Sequence, residues 1–330
     1  MKEKILVTGG AGYIGSHVVR ALDRAGYTPV VVDNLMNGYA RFVKGYTFYQ
    51  GDLLDQPFLR NVFAQERPRA VMHFAALNIV GDSYKEPQVY FENNMVGAIH
   101  LLKCMLEHDV KEMVFSSTAA VYGEPQQMPI PEDHPLAPIN PYGWSKLFIE
   151  KMLASYHDAY GMVYASLRYF NAAGADEKGD IGEAHQPETH LIPLVLDVAM
   201  GKRPHITIFG RDYDTPDGTC IRDYIHVSDL AQAHLAAFDY VRGHGCGIFN
   251  LGSQYGYSVR EIIDQVRAVT GKSIPVQEGE RRLGDPSRLI AAAGRAKDLL
   301  HWQPRHSIED MIASAWKWHQ QRGALSGMRG

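Results

Sequence analysis

Through the first half of the chain, short apolar runs alternate with longer amphipathic stretches. The runs are Ile5–Thr8, Val30–Asp33, Thr47–Gln50, Ala70–Ala75, Glu112–Ser117 and Tyr164–Phe170. With little polar alternation, they suit strands buried on both faces. Helical stretches at Gly15–Ala25, Asn93–His108 and Pro141–Tyr160 separate them, and this alternation predicts an α/β fold built on a doubly wound parallel sheet. Beyond residue 172 the texture changes. Residues 174–190 (GADEKGDIGEAHQPETH) are polar, carry Gly and Pro, and read as a long loop. The segments Leu191–Met200, His205–Phe209, Ser228–Val241, Ser258–Thr270 and Ile308–Gln321 follow less regularly. The pattern predicts a large domain over residues 1–172 and a smaller mixed α/β lobe over 173–330. The boundary is soft with interleaved segments, and Gly323–Gly330 is expected to be a flexible tail.

Composition narrows the function. The chain has 330 residues, 45% hydrophobic and 21% charged, and a net charge of -4 without long basic runs. That disfavours nucleic acid or an anionic membrane as partner. Cys104, Cys220 and Cys246 are widely spaced and make neither a disulfide framework nor a zinc knuckle, so a cytoplasmic protein is expected. No export signal or membrane span is legible.

The first candidate chemistry lies at the start. In KILVTGGAGYIGSHVV (residues 4–19) a strand runs into Gly9, Gly10, Gly12 and Gly15 and then into a helix. Glycine permits the tight turn, the close approach of a pyrophosphate and the packing of helix on strand. The diphosphate then meets free N–H groups at the helix's positive end. Asp33 ends the next run, 18 positions after Gly15, where a carboxylate accepts from both adenosine ribose hydroxyls and repels a 2′-phosphate. No Arg or Lys stands between Asp33 and Arg41. The loop therefore predicts a Rossmann-like domain that binds NAD rather than NADP. Asp52 and the run His73–Leu77 fall at later strand ends, where ligands bind in such sheets.

The second is NPYGWSK. Asn140 reads as an N-cap and Pro141 as the first helical residue, so Tyr142 and Lys146 share one helix face. A nearby ammonium is expected to lower the tyrosine pKa toward that of a usable base. Chance nearly supplies one such spacing in a chain with 18 tyrosines, so context carries the reading. The pair follows the strand Val114–Thr118, whose Thr118 is placed to donate to a sugar hydroxyl or to the tyrosine oxygen. Ser116 and Ser117 are expected to bond locally to backbone.

Together GGAGYIG, HFAAL, FSSTAAVYG, PYGWSK, LRYFNAAGA, PETHLIPL, DGTCIRDYIHVSDLA, FNLG and RRLGDP resemble the UDP-glucose 4-epimerase family of the extended short-chain dehydrogenase/reductase superfamily, from about residue 4 to 320. The resemblance implies that Tyr13, Ile14, Asp33, Asn34, Asp52, Leu53, Phe74, Ala75, Asn93, Lys146 and Phe170 line the NAD site, with Gly9, Gly12 and Gly15 beneath the diphosphate. Thr118 and Tyr142 would touch the reacting sugar. Asn171, Leu191, Phe209, Arg222, Arg282 and Asp285 would hold the UDP and hexose, the arginines as planar donor forks. Leu289, where the family also carries tyrosine, would leave room for an N-acetyl group. The chain departs from the family's common pattern at Asn78, often Lys, and at Thr118, more often Ser.

The implied activity is C4 epimerisation of UDP-glucose and UDP-galactose by a homodimer joined through the Asn93–His108 and Pro141–Tyr160 helices. UDP-pentose and UDP-N-acetylhexosamine epimerases carry nearly the same motifs. A dehydratase or decarboxylase would need a carboxyl after Thr118, where Ala119 and Ala120 stand. A non-catalytic NAD sensor would not need both Tyr142 and Lys146. No metal is expected. His185 and His190 lie near Glu183 and Glu188, but Pro187 breaks any helix that would align them.

Overall fold

In the computed structural model, which describes residues 2–281 and 285–322, seven parallel strands form the main sheet. Their spatial order is Gly247–Leu251, Val163–Tyr169, Glu112–Thr118, Ala70–His73, Lys4–Thr8, Thr28–Asp33 and Thr47–Gln50. Successive residues of a strand face opposite sides, and apolar side chains fill both. Ile5 and Val7 pack with Val18 and Leu22 of helix Tyr13–Arg24 and Phe238 of helix Val227–His244. Leu6 faces the other way, toward Leu59 and Phe63 of helix Gln56–Glu66, Leu101 of helix Gly97–Glu107 and Ile149 of helix Pro141–Tyr160. Burial on both faces explains the unbroken apolar runs of the sequence.

Six of the seven strands fall where the apolar runs place them. The seventh, Gly247–Leu251, comes from the second half and pairs with Val163–Tyr169. The smaller lobe is built around Ile221–His226, which pairs with Asn171–Ala173, Gly256–Ser258 and Arg288–Leu289. A second small sheet joins Ile206–Phe209 to Val276–Gly279. The expected tail Gly323–Gly330 lies outside the described residues.

Two helix starts decide where the site forms. Asn140 caps the helix Pro141–Tyr160, its Oδ1 accepting from Gly143 N at 2.7 Å, with Pro141 at the first position. The stretch expected as one helix from Asn93 instead opens with a wider π-type turn, Glu92–Val96, before the α-helix Gly97–Glu107. Asn94 accounts for the local demand: its amide bonds the Leu77 backbone at both ends and Ser145 Oγ at 3.0 Å.

Two turns beyond Tyr142, the same helix is pinned to the sheet. Glu150 accepts from Arg168 Nε at 2.9 Å and from Nη2 at 2.5 Å, and both side chains are almost wholly buried. Arg168 also donates to Tyr122 Oη at 3.0 Å and to the Glu132 carbonyl at 3.1 Å, and Tyr122 donates to Asn250 Oδ1 at 2.6 Å. Removing one member leaves the other charge buried without compensation. Glu150→Ala is therefore expected to cost about 3–5 kcal/mol of folding stability, read from urea unfolding. A loss no larger than that of an exposed pair would remove this pin.

Candidate active site

A cavity of about 1100 Å³ opens along the carboxyl ends of the main strands and is lined by both lobes. The sequence-predicted residues with described positions all lie on its wall: Gly9, Gly12, Tyr13, Ile14, Gly15, Asp33, Asn34, Asp52, Leu53, Phe74, Ala75, Asn93, Lys146 and Phe170 from the expected cofactor set, and Thr118, Tyr142, Asn171, Leu191, Phe209, Arg222, Asp285 and Leu289 from the expected substrate set. Arg282 lies outside the described residues. The volume exceeds what one small ligand fills and suits a dinucleotide beside a second nucleotide.

The glycine loop makes the cofactor end. Gly9 has φ +72°, and a Cβ there would lie 2.5 Å from the Ala75 nitrogen. A Cβ on Gly15 would lie 2.2 Å from the Gly9 carbonyl oxygen. The loop therefore packs tightly against the neighbouring strand end. Gly12 opens the helix Tyr13–Arg24 with no side chain capping it, leaving its first N–H groups to an anion in the cavity. Asp33 fixes the loop's far side, accepting from Ala11 N at 2.9 Å and Leu35 N at 2.8 Å. Burial pushes its pKa up, and the two backbone N–H groups offset part of this. Asn34 donates to Asp52 Oδ2 at 2.8 Å, so two of the expected adenosine contacts brace each other. This donor and acceptor set fits NAD.

At the chemical centre, the strand end Glu112–Thr118 and the helix Pro141–Tyr160 bring three side chains together. Burial pushes Tyr142 up to about 12, while a hydrogen bond from Thr118 pulls it down. Thr118 Oγ1 accepts from Ala120 N at 3.1 Å, which leaves its own hydrogen for the phenol oxygen. Burial pushes Lys146 down to about 7, and its Nζ donates to the Ser116 carbonyl at 2.8 Å above the Phe115 ring. The hydrogen bond from Thr118 thus lowers Tyr142, while burial holds Lys146 itself toward its neutral form. Ser116 and Ser117 also differ from expectation. Their hydroxyls bond the Tyr169 hydroxyl and Glu150 rather than local backbone.

The loop that precedes Leu191 holds residues whose role the sequence did not convey. Two consecutive Glu-x-His turns fold alike. Glu183 Oε1 accepts from Ala184 N at 2.7 Å, from His185 N at 2.9 Å and from His185 Nδ1. Glu188 Oε1 accepts from Thr189 N at 2.8 Å, His190 N at 2.9 Å and His190 Nδ1 at 2.8 Å. Burial opposes a charge on His190, but the bond to Glu188 and the charges of Glu183 and Glu188 outweigh it and raise its pKa to about 9. Although enclosed by protein, 40% of the His190 side chain remains exposed, and it lines the cavity. The loop therefore contributes a cation where the sequence showed only polar residues.

These turns also remove the ground for keeping the two histidines apart. Ligand atoms of Glu183, His185 and His190 come within 4.8 Å of one another without any helix. Pro187 does not separate them, since the repeated turns supply the convergence a helix would have given. Each imidazole bonds its own carboxylate through Nδ1, while Glu188 Oε2 is buried without a hydrogen-bond partner among the described residues.

On the substrate side, Arg222 donates to Asp285 and, at 2.8 Å, to the Ile221 carbonyl, which holds its guanidinium fork at the cavity wall. Asn171 Nδ2 donates to the Asp223 carbonyl at 2.9 Å. Asp223 in turn accepts from Ser253, Gln254 and Ala291, and so fixes the strand that presents Arg222. Asn78 also lines the cavity.

Comparison with known proteins agrees with this geometry. Residues 5–252 match the model of the NAD dependent epimerase/dehydratase family. A UDP-glucose 4-epimerase of Halalkalibacterium halodurans is 54% identical over 96% of both chains. A crystal structure of a UDP-glucose 4-epimerase superimposes with a TM-score of 0.95 at 51% identity, covering 97% of this chain and 98% of the other. The Bifidobacterium longum UDP-glucose 4-epimerase, solved in complex with NAD+ and UDP, gives 0.93 at 40% identity over 97% and 99% of the two chains. With its glycine loop, Asp33 and the Thr118, Tyr142 and Lys146 centre in a shared cavity, the chain belongs to the NAD dependent epimerase/dehydratase family, among the UDP-glucose 4-epimerases of the extended short-chain dehydrogenase/reductase superfamily.

Proposed function

We propose that this protein interconverts UDP-glucose and UDP-galactose by reversible oxidation at sugar C4, with NAD bound throughout. The carrying observation is that Thr118, Tyr142 and Lys146 meet in a cavity lined by the glycine loop on one side and by Arg222 on the other. When bound, NAD supplies the acceptor and then the donor of the C4 hydrogen, and the positive charge of its oxidised ring favours ionised Tyr142. Tyr142 takes the 4-hydroxyl proton as the carbonyl forms and returns it as the alcohol re-forms. Thr118 donates to the phenol oxygen and so stabilises the phenolate. Lys146 fixes the helix face to the Ser116 carbonyl and places its amine nitrogen beside the cofactor's expected position.

Inversion needs a sugar that turns while the nucleotide stays. Arg222 and protonated His190 supply charge for the diphosphate, which concentrates binding energy away from the reacting ring. Around the strand end that carries Thr118 the neighbours Ala119, Phe170 and Leu289 are apolar and share one cluster, so they impose little directional bonding on the sugar. Ala119 and Ala120 offer no carboxyl for elimination, which favours epimerisation over dehydration or decarboxylation. Leu289 supports a second reading: it faces the cavity without an aromatic ring, which leaves space for the 2-acetamido group of UDP-N-acetylhexosamines.

The same reading includes a homodimer and a cytoplasmic setting. Val89, Val96 and Ile99 are exposed around the Gly97–Glu107 helix, as are Trp144 and Phe148 on the helix Pro141–Tyr160, an apolar face suited to a second copy. The three cysteines form no disulfide. Among the described residues, no helix is long and apolar enough to cross a membrane.

Three measurements test the reading. Tyr142→Phe is expected to lower kcat by about 10²–10⁴-fold while NAD content is kept; Thr118→Ala is expected to slow turnover and Thr118→Ser to restore it. Near-normal turnover by Tyr142→Phe would remove the assigned base. For His190, the raised pKa means that its charge is held below about 9 and lost above it. The KM for UDP-glucose should therefore climb as pH rises through that value, and His190→Gln should show a higher KM at neutral pH with that step abolished. Finally, Leu289→Tyr should suppress turnover of UDP-N-acetylglucosamine more than that of UDP-glucose. Absence of wild-type turnover of the acetylated sugar would end the second reading.

A further inference from the structure

A second, smaller cavity of about 580 Å³ lies apart from the first and shares no lining residue with it. Five cations line it, Arg20, Arg24, Arg41, Lys44 and Lys178, against two carboxylates, Asp23 and Asp180. This excess of positive charge is local, since the whole chain carries -4.

Of the carboxylates nearby, Asp180 and Asp176 are engaged by Arg20 and Arg24, while Asp23, among the described residues, bonds only the Tyr46 hydroxyl, at 3.4 Å. Arg20 grips Asp180 through two parallel bonds of 2.7 and 2.8 Å, and Arg20 and Arg24 both reach Asp176, at 3.4 and 3.6 Å. Among the described residues, Arg41, Lys44 and Lys178 have no carboxylate within the 4.0 Å of an ion pair. Arg41 is the most constrained of the three. Its guanidinium lies 5.3 Å from the Tyr39 ring, 5.3 Å from Phe42 and 5.7 Å from Trp318, and its buried Nε has no hydrogen-bond partner. The rings hold the fork in place without neutralising it. Arg41 is thus a partly buried cation with no carboxylate partner among the described residues.

We propose that this cavity is an anion site that takes a small phosphorylated molecule, with Arg41 as the oriented fork and Lys44 and Lys178 as point charges. A planar guanidinium suits two phosphate oxygens, and ammonium groups on flexible stems close on the remainder. The cavity's size suits a small molecule rather than a polymer.

The site is also wired to the reaction cavity. Tyr39 Oη donates to the Ala184 carbonyl at 2.7 Å, and Trp318 Nε1 donates to the Glu183 carbonyl at 2.7 Å. Two rings of the Arg41 cage therefore hold the first Glu-x-His turn. The cage and this turn share the Tyr39 and Trp318 side chains as common supports.

The test uses the full-length protein with NAD bound and inorganic pyrophosphate as probe, followed by calorimetry while UDP just saturates the large cavity. The expected result is a site that UDP does not displace, weakened about tenfold or more in Lys44→Gln/Lys178→Gln, the loss expected for two charge-assisted contacts. The double variant changes only exposed side chains, so its folding and its turnover without probe should match wild type. Arg41→Gln should weaken binding at least as much. Loss of pyrophosphate binding when UDP is present, or unchanged binding in the double variant, would overturn the proposal.

Discussion

The buried pair of Glu150 and Arg168 governs the position of the chemistry. Tyr142, Lys146 and Glu150 follow one another at helical spacing, so whatever fixes Glu150 fixes the angular position of the other two. Arg168 belongs to the strand beside the one that ends in Thr118. The ion pair thus sets the distance between the tyrosine and its hydroxyl donor by joining the helix to the sheet that carries that donor. Isolated, such a pair gains little over apolar packing. Here its value is orientation, because Ser117, Tyr122 and the Glu132 carbonyl satisfy the remaining bonds and leave a single arrangement.

Burial supplies the second constraint. The centre is sheltered enough to hold Tyr142 near 12 and Lys146 near 7, the reverse of their order of charging in water. Both groups are therefore biased toward their neutral forms, and small nearby charges move them far. A base so placed is sensitive to any charge that enters the cavity. Arg222 and His190 line the same cavity and keep part of their side chains exposed.

Much of this was legible in the residues because it is local. The glycine loop, Asp33, the Asn140 cap and the Tyr142 and Lys146 spacing are all properties of short segments, and unbroken apolar runs reveal strands buried on both sides. What stayed hidden depends on distance. Arg168 lies in a run read as a buried strand, yet nothing along the chain names Glu150 as its partner. The cation at His190 arises from turns that a polar loop does not announce, and Pro187, taken as a barrier, sits between two turns that converge regardless. Thr118's influence on Tyr142 needs the strand end and the helix start in one place, which spacing along the chain cannot express.

The seventh strand has a consequence for how the molecule comes into being. Gly247–Leu251 completes the main sheet only after the chain has passed through the elements of the smaller lobe. A ribosome delivers residues in order, so the nascent sheet waits at six strands, with the outer edge of Val163–Tyr169 unpaired, while nearly eighty further residues emerge. A polypeptide cut after the loop that follows Phe170 would carry the glycine loop, the tyrosine and the lysine, yet leave that edge uncovered. Synthesis must therefore shield an open edge until the lobe has been made, and the two parts of the enzyme mature together.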